Sequence, residues 1–167
     1  MKEYWDAYLE NGEKADIILI RGEKIPDGLY HLVVDLAIRH VDGDFLLMKR
    51  SASKKTYPGM FELSAGGSVL MGESPFDGAK RELAEETGIV NVSLRLLNRF
   101  ADQKTKALYY EFFGITDCDK NSITCQEGET EDFLWASEQK VKEFYQQGLI
   151  IPSCIKRKPE IFQGFEN

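Results

Sequence analysis

The chain has 167 residues, 43% of them hydrophobic, an ordinary globular mix that suits one domain with a buried core and excludes a low-complexity or repetitive protein. Twenty-eight acidic against 21 basic side chains give a formal net charge of −7, which argues against a broad nucleic-acid surface and leaves room for a nucleotide in a local basic pocket. Three cysteines, Cys118, Cys125 and Cys154, form no metal-ligand pattern and fit a reducing cytoplasm; no apolar run is long enough to span a bilayer, and the first residues do not read as a signal peptide.

Residues 1–30 read as a small N-terminal extension with a strand at 17–21 and a turn at Ile25-Pro-Asp-Gly28. A longer β run follows at 30–39, Asp42-Gly43 supplies a hairpin turn, and 45–49 is the returning strand. Residues 50–58 form a basic loop, and 61–65 a short strand that leads into Gly66-Gly67. A helix is expected over 75–87, then strands at 92–100 and 107–115, a polar loop at 117–131 and a short strand at 133–135. Ser137 caps a second helix that carries Val141, Phe144 and Tyr145 on one face and stops at Gly148. The tail from 152 mixes basic and aromatic residues. Its apolar members Ile161, Phe162 and Phe165, together with the N-terminal extension, are the candidates for a homodimer contact.

The helix at 75–87 carries the chemistry. Ser74 can cap its free N–H groups, Pro75 sits where a missing N–H costs nothing, Asp77 falls at the reciprocal capping position, and Gly88 is a natural left-handed stop. At 3.6 residues per turn, Glu82, Glu85 and Glu86 fall within an arc of about 100°. Arg81 lies one turn before Glu85 and can pair with it. Phe76, Ala79 and Leu83 make the apolar face. Three carboxylates this close repel one another, and a hard divalent cation with oxygen ligands, Mg²⁺ or Mn²⁺, removes the conflict. A merely solvated acidic face gives no reason for Gly67 and Glu73 at set distances outside the helix.

Gly67, Glu73, Arg81, Glu82, Leu83, Glu85, Glu86, Gly88 and Ile89 fill every defining position of the Nudix hydrolase signature, and the chain resembles that family over about residues 30–148. The resemblance implies an α/β fold, a mixed β-sheet sandwiched between helices, here with a small N-terminal β extension, the whole of 1–167 making one domain. It implies a hydrolase that cleaves a diphosphate linkage in a small molecule, most simply a nucleoside diphosphate derivative. The metal would be held by Glu82, Glu85 and Glu86 with the backbone carbonyl of Gly66. Gly67 would let that loop approach closely. Arg81 would orient Glu85 and pair with Glu73. The family often adds an acid from a later loop, as ligand or base; among Glu127, Glu129, Glu131 and Asp132, Glu129 is the choice because it stands six residues before Trp135.

A second resemblance is narrower. Arg50-Ser-Ala-Ser-Lys54-Lys55, then Tyr57-Pro58-Gly59 and Phe61, is similar to isopentenyl-diphosphate isomerase, a Nudix-fold relative in which the residues matching Arg50 and Lys54 hold the substrate's diphosphate. Arg suits phosphate oxygens through its planar fork, and Lys adds a point charge. The isomerase's loop cysteine is matched by Gly66 and its loop histidine by Ser68, so the alkene chemistry is not expected here. A prenyl or other non-nucleotide diphosphate, or a non-catalytic ligand-binding domain, are the alternatives. His31 reads as a packed or hydrogen-bonded strand residue, and Trp5, Tyr30 and Tyr57 as stacking partners for a flat group or as packing residues.

Overall fold

A strand that buries every second side chain organises the molecule. In the computed structural model, which describes residues 2–165, β3 (His31–His40) hides Leu32, Val34 and Leu36 on one face. Before it, β1 (Tyr4–Tyr8) and β2 (Lys14–Ile20) form a separate two-stranded hairpin. After it come β4 (Phe45–Arg50), β5 (Phe61–Leu63), β6 (Ala65–Ser68), α1 (Pro75–Thr87), β7 (Ser93–Asp102), β8 (Ala107–Thr116), a 3-10 turn at Lys120–Ser122, β9 (Thr130–Ala136), α2 (Glu138–Gln146) and α3 (Pro152–Lys156). The main sheet runs β5-β4-β3-β8-β7, with β6 also on β3 and β9 also on β4. β3 and β8 are parallel, and the other pairs within it are antiparallel.

The sheet forks. β3 and β4 pair only at Arg39 and Phe45, and then part. β5 takes the freed edge of β4 and β6 takes that of β3. The single strand expected at 61–65 is therefore two, broken at Ser64, which has a φ of 42°. The hydroxyl of this fully buried residue accepts from Ile38 N–H at 2.8 Å and lies 3.2 Å from the Leu46 carbonyl, so it bridges the two branches where ladder bonds are missing.

α1 covers one face, packing Ala79 and Leu83 against Leu32, Val34, Leu36 and Phe112. Phe76, expected on the same apolar face, is 44% exposed and meets Phe112 edge-on at 4.8 Å. α2, α3 and the tail cover the opposite face, with Val141, Ile150, Cys154 and Ile155 packed on Ala37, Phe45 and Leu47. The result is a mixed sheet between helices. The tail corrects one expectation: Phe162 and Phe165 are 4% and 3% exposed and lie in this second core, with Ile161 packed beside them. They fill their own chain's core rather than presenting a dimer face. Lys158, two turns into that tail, is wholly buried and bonds Asp35 at 3.0 Å and Glu111 at 2.5 Å. The N-terminal hairpin is tied to the loop before α1, where Met71 N–H donates to the Tyr4 carbonyl and Gly72 N–H to Asp6. Among the described residues, no helix is long and apolar enough to cross a membrane.

Candidate active site

α1 starts and stops where its sequence dictates. Ser74 and Asp77 form the reciprocal capping box, and Gly88 closes the helix at φ 78°. The acidic face looks into a cavity of about 410 Å³. Glu82, Glu85 and Glu86 line it with Arg81, Gly66 and Gly67, and Arg50, Lys54 and Glu129 come in from the loops at its other side. The fold thus brings together every residue singled out for the site except Glu73, which stands behind Arg81.

Arg81 is the hub. Its Nε and Nη2 donate to the two oxygens of Glu73 at 2.7 and 3.0 Å, a bidentate grip. Nη1 reaches Glu82 at 2.8 Å and Glu85 at 3.2 Å, and Nη2 also reaches the Ser68 carbonyl at 3.0 Å. Arg81 therefore orients Glu82 as well as the expected Glu85. Hydrogen bonds to Glu73 and Glu82 push its pKa further up, so it stays charged.

Glu86 is the most buried of the three acids, 6% exposed, and accepts from Gly66 N–H at 3.1 Å. Burial, with Glu62 and Glu82 nearby, pushes its pKa up to about 9. Burial raises Glu82 too, against the pull of Arg81. Gly67 explains itself: a Cβ there would sit 2.3–2.6 Å from the carboxylate atoms of Glu82.

Two cations of the basic loop are already paired. Arg50 and Lys54 do line the cavity, yet each already holds a carboxylate. Arg50 donates to Glu62 at 2.8 Å and to the Thr56 carbonyl at 3.2 Å, and Lys54 pairs with Glu129. Of the four loop acids, only Glu129 lines this cavity; Glu131 is held by Lys49 at 3.0 Å and by Ala52 N–H at 3.1 Å.

Several polar lining residues were not legible as site residues, the charged pair Glu3 and Arg21 among them. Glu3 and Arg21 arrive from the N-terminal hairpin, joined at 2.8 Å, and Gln126 from the loop before β9. Trp5 Nε1 fixes Glu3 at 2.7 Å while its ring stacks on His31 at 4.2 Å. His31 is packed as expected, its pKa lowered by burial, with Nδ1 3.1 Å from the Lys106 carbonyl. Trp5 and Tyr30 are buried packing residues, and Tyr57 is half exposed outside this cavity.

Among the described residues, no three His, Cys, Asp or Glu side chains are gathered tightly enough to enclose a metal ion. Arg81 draws Glu82 and Glu85 aside. The donor set nevertheless fits a hard divalent cation. It is all oxygen, and burial and the neighbouring acids Glu62, Glu82 and Glu129 oppose the charge of its innermost carboxylate. A dication beside it removes both penalties.

Residues 29–152 match the NUDIX domain family model. An uncharacterised Nudix hydrolase of Listeria innocua is 33% identical over 151 residues, 90% of this chain and 89% of its own length. The isopentenyl-diphosphate isomerase of Corynebacterium diphtheriae is 37% identical over a shorter stretch of 59 residues, 35% of this chain and 32% of its own. In shape, the solved DR0079 of Deinococcus radiodurans matches with a TM-score of 0.71 at 21% identity, covering 89% of this chain and 91% of that one. A bifunctional NMN adenylyltransferase/ADP ribose pyrophosphatase of Francisella tularensis, complexed with AMP and a manganese ion, matches at 0.62 with 15% identity, over 81% of this chain and 42% of that one. These two likenesses speak for the fold alone. With the family model spanning most of the sequence and the signature helix facing a polar cavity, the chain belongs to the Nudix family and is a hydrolase of diphosphate bonds.

Proposed function

We propose that the protein is a metal-dependent diphosphohydrolase of small molecules, acting on a nucleoside diphosphate joined to a further group. One observation carries the reading: a single cavity faces Glu82, Glu85 and Glu86 on one wall with Arg50 and Lys54 on another. A diphosphate needs both, cations for its oxygens and acids for its metal. Glu82, Glu85 and Glu86, with the Gly66 carbonyl, would hold Mg²⁺ or Mn²⁺. The bound ion would neutralise charge on the phosphates and acidify a water. Arg81 and Glu73 position the acids. Arg50 and Lys54 grip the phosphates, and Lys54 must leave Glu129 to do so. That exchange frees Glu129 to accept a proton from the attacking water or to complete the metal's ligands.

The nucleotide preference is what the Nudix signature implies, and a neighbour of the same fold is named an ADP ribose pyrophosphatase. A prenyl diphosphate is the second reading, favoured by the isomerase-like stretch around Arg50 and Lys54. The whole chain serves as one unit in this reading, because the hairpin supplies Arg21 to the cavity and the tail completes the second core. Three free thiols fit a cytoplasmic setting.

The test is Glu86→Gln, assayed against a panel of diphosphates with Mg²⁺ or Mn²⁺ and read by product masses. Metal-dependent turnover should vanish while the fold, followed by circular dichroism, is kept. Near wild-type turnover by the folded variant would overturn the site.

A further inference from the structure

A second cavity, about 260 Å³, opens beside the first and shares Arg50, Gly66 and Gly67 with it. It sits at the fork of the sheet, where β3 and β4 have parted. The glycine pair of β6 borders both chambers: a Cβ on Gly67 would enter the Glu82 carboxylate of the first, and one on Gly66 would press on the β3 backbone, 2.9 Å from the Val34 carbonyl and 3.4 Å from the Asp35 Cα. Register places Gly66 beside Asp35, and Val33 between Ser68 and Tyr109. Besides the shared residues, Val33, Asp35, Glu62, Leu63, Tyr109 and Cys154 line this chamber.

We infer that this chamber receives the organic group of the substrate, and that the group is uncharged and rich in hydrogen-bond donors, as a sugar is. The inference rests on the diphosphohydrolase reading and names the class of substrate for it. A diphosphate seated at Arg50 borders both chambers; three acids of α1 line the first, whereas the acids lining the second are Asp35 and Glu62, each paired with a cation. Its chemistry is that of acceptors on an apolar floor. Asp35 gives one oxygen to Lys158 at 3.0 Å, and Glu62 gives one to Arg50 at 2.8 Å. Each carboxylate has two oxygens and about four acceptor directions, so capacity is left on both. Their side chains are only 16% and 20% exposed, so a ligand here displaces their remaining water.

A hydrocarbon would strip that water and replace none of its hydrogen bonds. A second phosphate would meet like charge. Hydroxyls donate to both acids and can share a further bond with the Tyr109 hydroxyl. That phenol is held in place, its ring stacked on Phe100 at 5.2 Å and under the Arg157 guanidinium at 3.9 Å. Val33 and Leu63 supply apolar surface for the face of a ring. The chamber thus favours a sugar-bearing diphosphate over a prenyl one.

The experiment compares kcat/KM of the wild-type protein, with Mg²⁺ or Mn²⁺, on ADP-ribose, dimethylallyl diphosphate and inorganic pyrophosphate. ADP-ribose should exceed dimethylallyl diphosphate by at least about tenfold. Val33→Phe, whose ring would fill the chamber, should cut the ratio of ADP-ribose to pyrophosphate by about tenfold, mainly through KM. Tyr109→Phe keeps the stacked ring, so it holds the test open should the larger side chain disturb folding; it should cut the same ratio about threefold. Dimethylallyl diphosphate turned over as well as ADP-ribose, or a ratio unmoved in both variants, would overturn the inference while leaving the hydrolase reading intact. No turnover of any of the three would remove that reading, and the inference with it.

Discussion

Replacing Gly67 with alanine isolates the geometry of the acid cluster from the stability of the fold. The new Cβ would lie 2.3 Å from the nearest Glu82 oxygen, and ordinary contact begins at 3.4 Å, so the carboxylate must retreat by roughly 1 Å (3.4 minus 2.3). The obstacle is the far end of a flexible side chain, so it can move. It then loses its 2.8 Å bond from Arg81, a charge-assisted contact of about 1.5–3 kcal/mol that renewed hydration partly offsets. Gly67 does not have a positive φ, so alanine also restricts the unfolded chain and gives back roughly 0.4–1 kcal/mol. The net destabilisation should be about 1 kcal/mol, read as a small shift in a urea melt. Turnover should fall far more, about a hundredfold, because a 1 Å displacement of a positioning group is enough for that. Gly66→Ala is the contrast: its Cβ meets the Val34 carbonyl at 2.9 Å, which is backbone, so β6 must shift from β3 and the fold should weaken. A folded Gly67→Ala protein with wild-type turnover would refute the reasoning.

Three further outcomes follow from the buried charges. Glu86, with its pKa pushed up to about 9, holds a proton at neutral pH that a bound cation must displace; Mn²⁺ affinity should therefore rise with pH, by up to about tenfold per unit between 6 and 8.5, and calorimetry in buffers of different ionisation enthalpy should detect the released proton. By the same linkage, a carboxylate protonated more readily when folded favours the fold at low pH, so the metal-free protein should lose stability as pH climbs from about 5 toward 9, and a flat profile would count against the assignment. Lys158→Met should destabilise the protein by about 3–5 kcal/mol at pH 7, since Asp35 and Glu111 then share a buried site without a counter-ion. Burial and Asp35 push the Glu111 carboxyl above its ordinary range, so the deficit in a urea melt should shrink as pH falls toward 5 and that acid takes up a proton more readily; an equal deficit at pH 7 and pH 5 would contradict this.

α1 was legible to its ends because its caps are local: Ser74, Pro75, Asp77 and Gly88 act within one turn of the residues they satisfy. The acids on it were legible for the same reason. β1 was missed because Trp5, Asp6 and Ala7 are all buried, which erases the alternation that betrays a half-buried strand. The break at Ser64 was hidden because it serves a long-range need, the unpaired Ile38 N–H, that no neighbour in sequence announces. Arg21 looked like the end of a strand, and its place in the cavity depends on the hairpin docking against the loop before α1. Lys158 looked like one more cation in a basic tail; its two acids lie 123 and 47 positions away. Arg50 and Lys54 line the cavity, and their pairing with Glu62 and Glu129 depends on strands that meet only after folding.

The distance along the chain between Lys158 and Asp35 bears on how the molecule is made. Synthesis delivers the central strand early and the lysine that neutralises it late. Until the segment around Lys158 has been made, a nascent sheet would hold Asp35 opposite Glu111 without this counter-ion, so the packing of that face and its charge balance would be completed together.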